Sequence, residues 1–95
     1  MHYLRYGIPP ELVERVKWKL KNPVLKEQVK LILRDVTKYD LQDRLKVRQL
    51  LGQLSRVLNE RLTEHQKDVI VQFVLDQKID PKNKLHLLRL WNMFR

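Results

Sequence analysis

Residues able to do acid–base, nucleophilic or metal chemistry are few in this 95-residue chain, and they are scattered. His2, His65 and His86 stand alone, with no second histidine three or four positions away. Zinc requires a closed set of ligands, and the chain has no cysteine to supply thiolates. The absence of cysteine also excludes disulfides and fits a reducing compartment. Ser55, the one serine, has no histidine near it in sequence to activate it. Glu60 and Glu64 bracket a helix junction, where paired carboxylates can exchange protons, although such residues more often face water or cap a helix. Gly7 and Gly52 are too far apart to build a phosphate-cradling loop. These residues point to a protein that is not an enzyme and takes no cofactor or metal.

The cations are more regular. Twenty Lys and Arg against eleven acids give a net charge of +9, which favours acidic or polyanionic partners through long-range attraction. Lys26, Lys30, Arg34 and Lys38 follow strict i, i+4 spacing, and at 40° of drift per step they form a slanting ridge on one helix. Arg44, Arg48 and Arg56 repeat the pattern, with Gly52 in the remaining place. These seven are the candidate polyanion-binding residues, for DNA or RNA held mainly through phosphates. Lys82, Asn83 and Lys84, where the last helix starts, are the residues to test for base reading. An anionic membrane surface ranks below both, because the apolar side of the Lys26 helix is better explained as core. A mid-helix glycine costs roughly 1 kcal/mol relative to alanine. Gly52 therefore implies a partner or polyanion meeting bare backbone, or a second helix crossing there; the general use of small residues at helix contacts favours the crossing.

The elements that must hold these residues read as helices. Val47, Leu50, Leu51, Leu54, Val57, Leu58 and Leu62 lie within about 140° of arc, the stripe of a core-facing helix. Thr63-Glu64-His65-Gln66 is a capping box, after which Val69, Ile70, Phe73 and Val74 resume the helical period. With two Gly, four Pro and 43% apolar residues, the chain predicts an all-α fold, a compact single-domain bundle of about five helices. The expected spans are 10–21, 24–38, 41–61, 64–78 and 81–94, preceded by an arm over 1–8 that Tyr3, Leu4, Tyr6 and Ile8 tack to the body. Asp40 is the expected cap of the third helix and Asp80, before Pro81, that of the fifth. The last helix is apolar almost all round, so it is either the middle of the bundle or half of an intermolecular contact. Trp18, Leu87, Leu90, Trp91 and Phe94 are accordingly the candidate partner or homodimer contacts. No signal-peptide h-region and no run of eighteen apolar residues is present, which predicts a soluble, cytoplasmic protein.

The run VRQLLGQLSRVLNERLTEHQKDVIVQFVLDQKID and the closing LLRLWNMF resemble the stage VI sporulation protein F family, over roughly residues 29–94. The first twenty or so residues, Trp18 among them, look like an addition to the usual family length. The resemblance implies action late in sporulation, in the mother cell, with a regulator or coat-assembly component as protein partner. It carries over no catalytic or ligand residue.

Overall fold

Prolines and short polar side chains set where each helix begins. The computed structural model describes residues 2–93, with the side chains of His2, Leu87 and residues 90–93 outside that description. Pro9 is extended and Pro10 takes the first position of α1, Pro10–Lys19, where its missing N–H costs nothing. The next dipeptide both ends one helix and starts another. Asn22 Oδ1 accepts from the Val24 N–H at 2.9 Å and Pro23 opens α2, Pro23–Leu33.

Helix α2 stops at Leu33, five residues short of the expected Lys38. The chain after it is taken up by a reciprocal pair of bonds. The Thr37 N–H donates to Asp40 Oδ2 at 3.0 Å, and the Asp40 N–H donates to Thr37 Oγ1 at 3.2 Å. This box fixes a 3-10 turn, Asp40–Gln42, in place of the first turn of a helix. The cap of α3, Arg44–Val57, is Asp43, whose Oδ1 accepts from Leu45 and Lys46; Asp40 does not serve there. The third helix is thus shorter at both ends than the 41–61 of the periodicity. Its far end is a Schellman motif: Asn59 is left-handed (φ 53°), its N–H donates to the Arg56 carbonyl, and the Glu60 N–H reaches the Ser55 carbonyl at 2.9 Å. The Thr63–Gln66 capping box is present in both directions at the start of α4, Glu64–Gln77. Asp80 and Pro81 make a turn, after which Asn83 Oδ1 accepts from the His86 N–H. Asn83 therefore takes the capping role expected of Asp80, and α5 runs Lys84–Met93.

Among the described residues there is no strand, and the five helices form a body of 29 × 26 × 26 Å. Helix α4 is its centre. It packs against α3, the turn at 40–42 and an N-terminal 3-10 turn, His2–Tyr6. Phe73 faces Tyr3 and Ile8, all three buried, while Val71 is the most enclosed of the described residues at 1% exposure. At 100° per residue Phe73 and Val71 point about 160° apart, so α4 is buried on two sides. The expected arm is therefore a wall of the core. The Tyr6 ring meets Phe73 edge-on with centroids 5.3 Å apart, and the Tyr6 hydroxyl donates to Asp76 Oδ2 at 2.7 Å. Leu4, expected to help tack the arm down, is instead exposed. The last helix does not fill the middle with its described side chains, since Leu85 is 75% and Leu88 56% exposed. Between α1 and the α3–α4 pair lies an apolar cleft of about 410 Å³, walled by Leu12, Val16, Leu54, Leu58, Phe73 and Val74.

This layout predicts a sharp contrast in urea unfolding. Val71→Ala should cost about 2 kcal/mol, the transfer and cavity terms of two buried methyls. Leu85→Ala should stay within about 0.5 kcal/mol of the parent chain.

Candidate interaction surface

The surface available to a partner is what remains after the chain has used charges to join its own helices. Glu60 is the strongest such joint. Turned under the end of α3 by the left-handed Asn59, its side chain is only 8% exposed. It accepts from Arg15 Nη2 at 2.9 Å and Nε at 3.2 Å, and from Lys19 Nζ. The same Lys19 ammonium donates to the Leu58 carbonyl at 2.7 Å, placing a cation on the negative end of α3. The hydrogen bonds from Arg15, and then those from Lys19, hold the Glu60 carboxyl below the ordinary glutamate value. Glu60 is therefore a clamp between α1 and α3 rather than a solvated acid.

A second joint consumes the arginines of α3. Arg48 donates to Asp68 Oδ1 at 2.8 Å and also to Glu64, both on α4. Arg44 donates to Gln72, Gln72 to Asp76 at 2.8 Å, and Asp76 accepts from Tyr6, a chain crossing three elements. The Tyr6 hydroxyl, followed by Gln72, keeps the Asp76 carboxyl below its ordinary value. Arg44 and Arg48 thus face α4, Arg44 through the Gln72 amide and Arg48 through two carboxylates, whereas Arg56 has no side-chain hydrogen bond or ion pair among the described residues.

The cations of α2 are placed differently. Lys26, Lys30 and Arg34 are exposed; Lys30 meets Glu27 at 3.9 Å, and Lys26 and Arg34 have no ion pair among the described residues. Lys38 is off the helix, over the Tyr39 ring at 5.4 Å, so the ridge has three members rather than four. Six of the eleven residues of α2 are apolar, yet none is fully buried. Leu25, Val29 and Ile32 are half-buried, whereas Val24 is 63% and Leu31 62% exposed. Trp18 is 71% exposed, with the Lys21 ammonium 5.5 Å from its ring, so it covers no neighbouring helix. The side chains of Leu87, Leu90 and Trp91, and all of Phe94, lie outside the described residues.

Gly52 overturns the expectation of a crossing helix. A Cβ added there would meet nothing within 4 Å, so among the described residues no element approaches closely enough to require glycine. Lys82, Asn83 and Lys84 form the turn and start of α5, where Asn83 is committed to capping. No group of three or more His, Asp or Glu side chains that could hold a metal is found among the described residues. Their helices include none long and apolar enough to cross a membrane.

A family model described as Stage VI sporulation protein F matches residues 13–87 of the chain. The chain belongs to the stage VI sporulation protein F family. It is therefore a sporulation-related protein. The match begins at Val13, so it takes in Trp18 and most of α1, which the resemblance had set apart as an addition. It also contains Glu60 with both of its α1 partners, Arg15 and Lys19. A search of curated proteins and a search of solved structures each returned no match.

Two stability outcomes follow from these placements. Glu60→Gln should cost about 1–2 kcal/mol at neutral pH, the value of charge-assisted bonds to partly exposed partners. Because the folded carboxyl lies below its unfolded value, its contribution is complete above about pH 4.3 and is lost as pH falls through the lowered value. The gap between parent and variant should therefore close on acidification, as read by denaturant midpoints at several pH values. Gly52→Ala should raise stability by roughly 1 kcal/mol in the same assay, since the new methyl meets no neighbour.

Proposed function

We propose that the chain is a non-enzymatic module of sporulation that docks on another protein, a regulator or a coat-assembly component, in the mother-cell cytoplasm. The observation that carries this reading is the outer surface of α2, where exposed Val24 and Leu31 lie on one row, seven residues apart. Leu31 precedes Arg34 by three positions and so lies beside it on the helix surface. Apolar side chains among cations suit a protein surface that offers both apolar contact and carboxylates. A phosphate backbone gains nothing from leucine. The internal use of Arg44 and Arg48 takes two of the seven cations that nucleic-acid binding would draw on.

The test compares two variants in sporulating cells, each replacing the parent chain. One carries Val24→Ser with Leu31→Ser; the other carries Lys26→Gln, Lys30→Gln and Arg34→Gln. Both should keep their helical circular dichroism, and both should lower the yield of mature spores. Nucleic-acid binding gives another pattern. Only the cation variant loses function, the complex is sensitive to nuclease, and log K falls against log salt with a slope of about −3 for three phosphate contacts.

A further inference from the structure

The outward row of α3 makes no side-chain hydrogen bond or ion pair among the described residues. Leu45, Gln49, Gly52 and Arg56 are spaced by four, three and four residues, and their directions fall within about 60° of one another. They lie opposite the inner stripe of Val47, Leu51, Leu54 and Leu58. Leu45 is 66% exposed, Gln49 and Arg56 are exposed, and Gly52 is bare backbone in the middle. The Ser55 hydroxyl donates to the Gly52 carbonyl at 2.9 Å, so that neighbour is folded down onto the helix. Gln49, Gly52, Gln53, Ser55, Arg56 and, from α4, Lys67 line a shallow groove of about 470 Å³.

We propose that this groove receives an acidic α-helix of a partner protein, seated against the backbone at Gly52. The proposal rests on the protein-docking role given above and names the chemistry of the partner. Four-three-four spacing is that of a helix–helix seam, and the missing side chain at Gly52 leaves the hole into which a partner residue fits. Arg56 has no carboxylate partner among the described residues, and Lys67 has only Glu64 at 3.4 Å, so the charge asked of the partner is negative. A second copy is a poor fit. The chain carries +9, and Glu64, Asp68 and Asp76, the carboxylates of α4, already bond to Arg48, Arg48 and Tyr6. A phosphate backbone would leave Leu45 without a matching contact.

The test uses the full chain with a photo-crosslinking residue in place of Gln49, or of Leu31 on α2, expressed in sporulating cells. The expected adduct at position 49 is a different protein, resistant to nuclease, whose cross-linked peptide is helical and rich in Asp and Glu. Adding Gly52→Ala should lower that adduct about tenfold, the scale of one lost close contact, while the melting temperature of the purified chain rises by about 4–8 °C. Arg56→Gln should lower it as well. Undiminished cross-linking in the Gly52→Ala chain overturns the proposal, as does an adduct with nucleic acid or with another copy of the chain. A protein adduct at position 31 and none at 49 overturns the α3 groove but leaves the docking role standing. No protein adduct at either position overturns both.

Discussion

Scarcity of carboxylates governs this protein. With eleven acids for twenty fixed cations, every acid committed to an internal joint determines which cations stay outside. Glu60 takes Arg15 and Lys19, Glu64 and Asp68 take Arg48, and Asp76 takes the hydroxyl of Tyr6. Those three joints tie α1 to α3, α3 to α4, and α4 to the N-terminal turn. Among the cations left outside are Lys26, Lys30 and Arg34 of α2 and Arg56 of α3. The net charge of +9 lies largely on exposed side chains, where it can attract an acidic partner over distance.

The core shows why the joints are needed. Val71 and Phe73 bury opposite sides of α4, but α2 encloses none of its apolar side chains and α1 stands off across an apolar cleft. A domain of this size hides only about 60–65% of its unfolded surface, so apolar burial alone holds its outer helices loosely. Charge-assisted bonds at the rim of the cleft, with Glu60 almost enclosed and Lys19 on the end of α3, fix the angle of α1. The same economy leaves Val24 and Leu31 in water, ready for a surface that would cover them.

Much of the fold is legible where a local rule acts alone. Thr63-x-x-Gln66 specifies its own cap, Pro10 and Pro23 mark the starts of α1 and α2, and the leucines of α3 give its inner face from spacing. The misses share a cause, namely two candidates competing at short range. Asp40 and Asp43 both suit a helix start, and the Thr37-x-x-Asp40 pairing decides between them. Asp80 and Asn83 compete in the same way before α5. Asn59 carried a signal too, as a residue tolerant of left-handed backbone, and it ends α3 before the apolar period does. Position on the surface was harder to read. Arg44, Arg48 and Arg56 form one row by spacing, but only the tertiary approach of α4 separates the two that bond to it from the one without a partner among the described residues. Glu60 looked like a solvated acid for the same reason, since Arg15 and Lys19 lie more than forty residues earlier. Gly52 suits a packing site within the bundle by residue type, but no described neighbour approaches it within 4 Å of a Cβ position.

The claim that carboxylates are committed to these joints is tested most directly by following each side-chain carboxyl carbon by NMR as pH is lowered. The account predicts that Glu60 titrates below the ordinary glutamate value and Asp76 below the ordinary aspartate value, and that Glu60 moves up toward its ordinary value when Arg15 is replaced by Gln. A Glu60 carboxyl that titrates at or above the ordinary glutamate value, unaffected by that replacement, would contradict it.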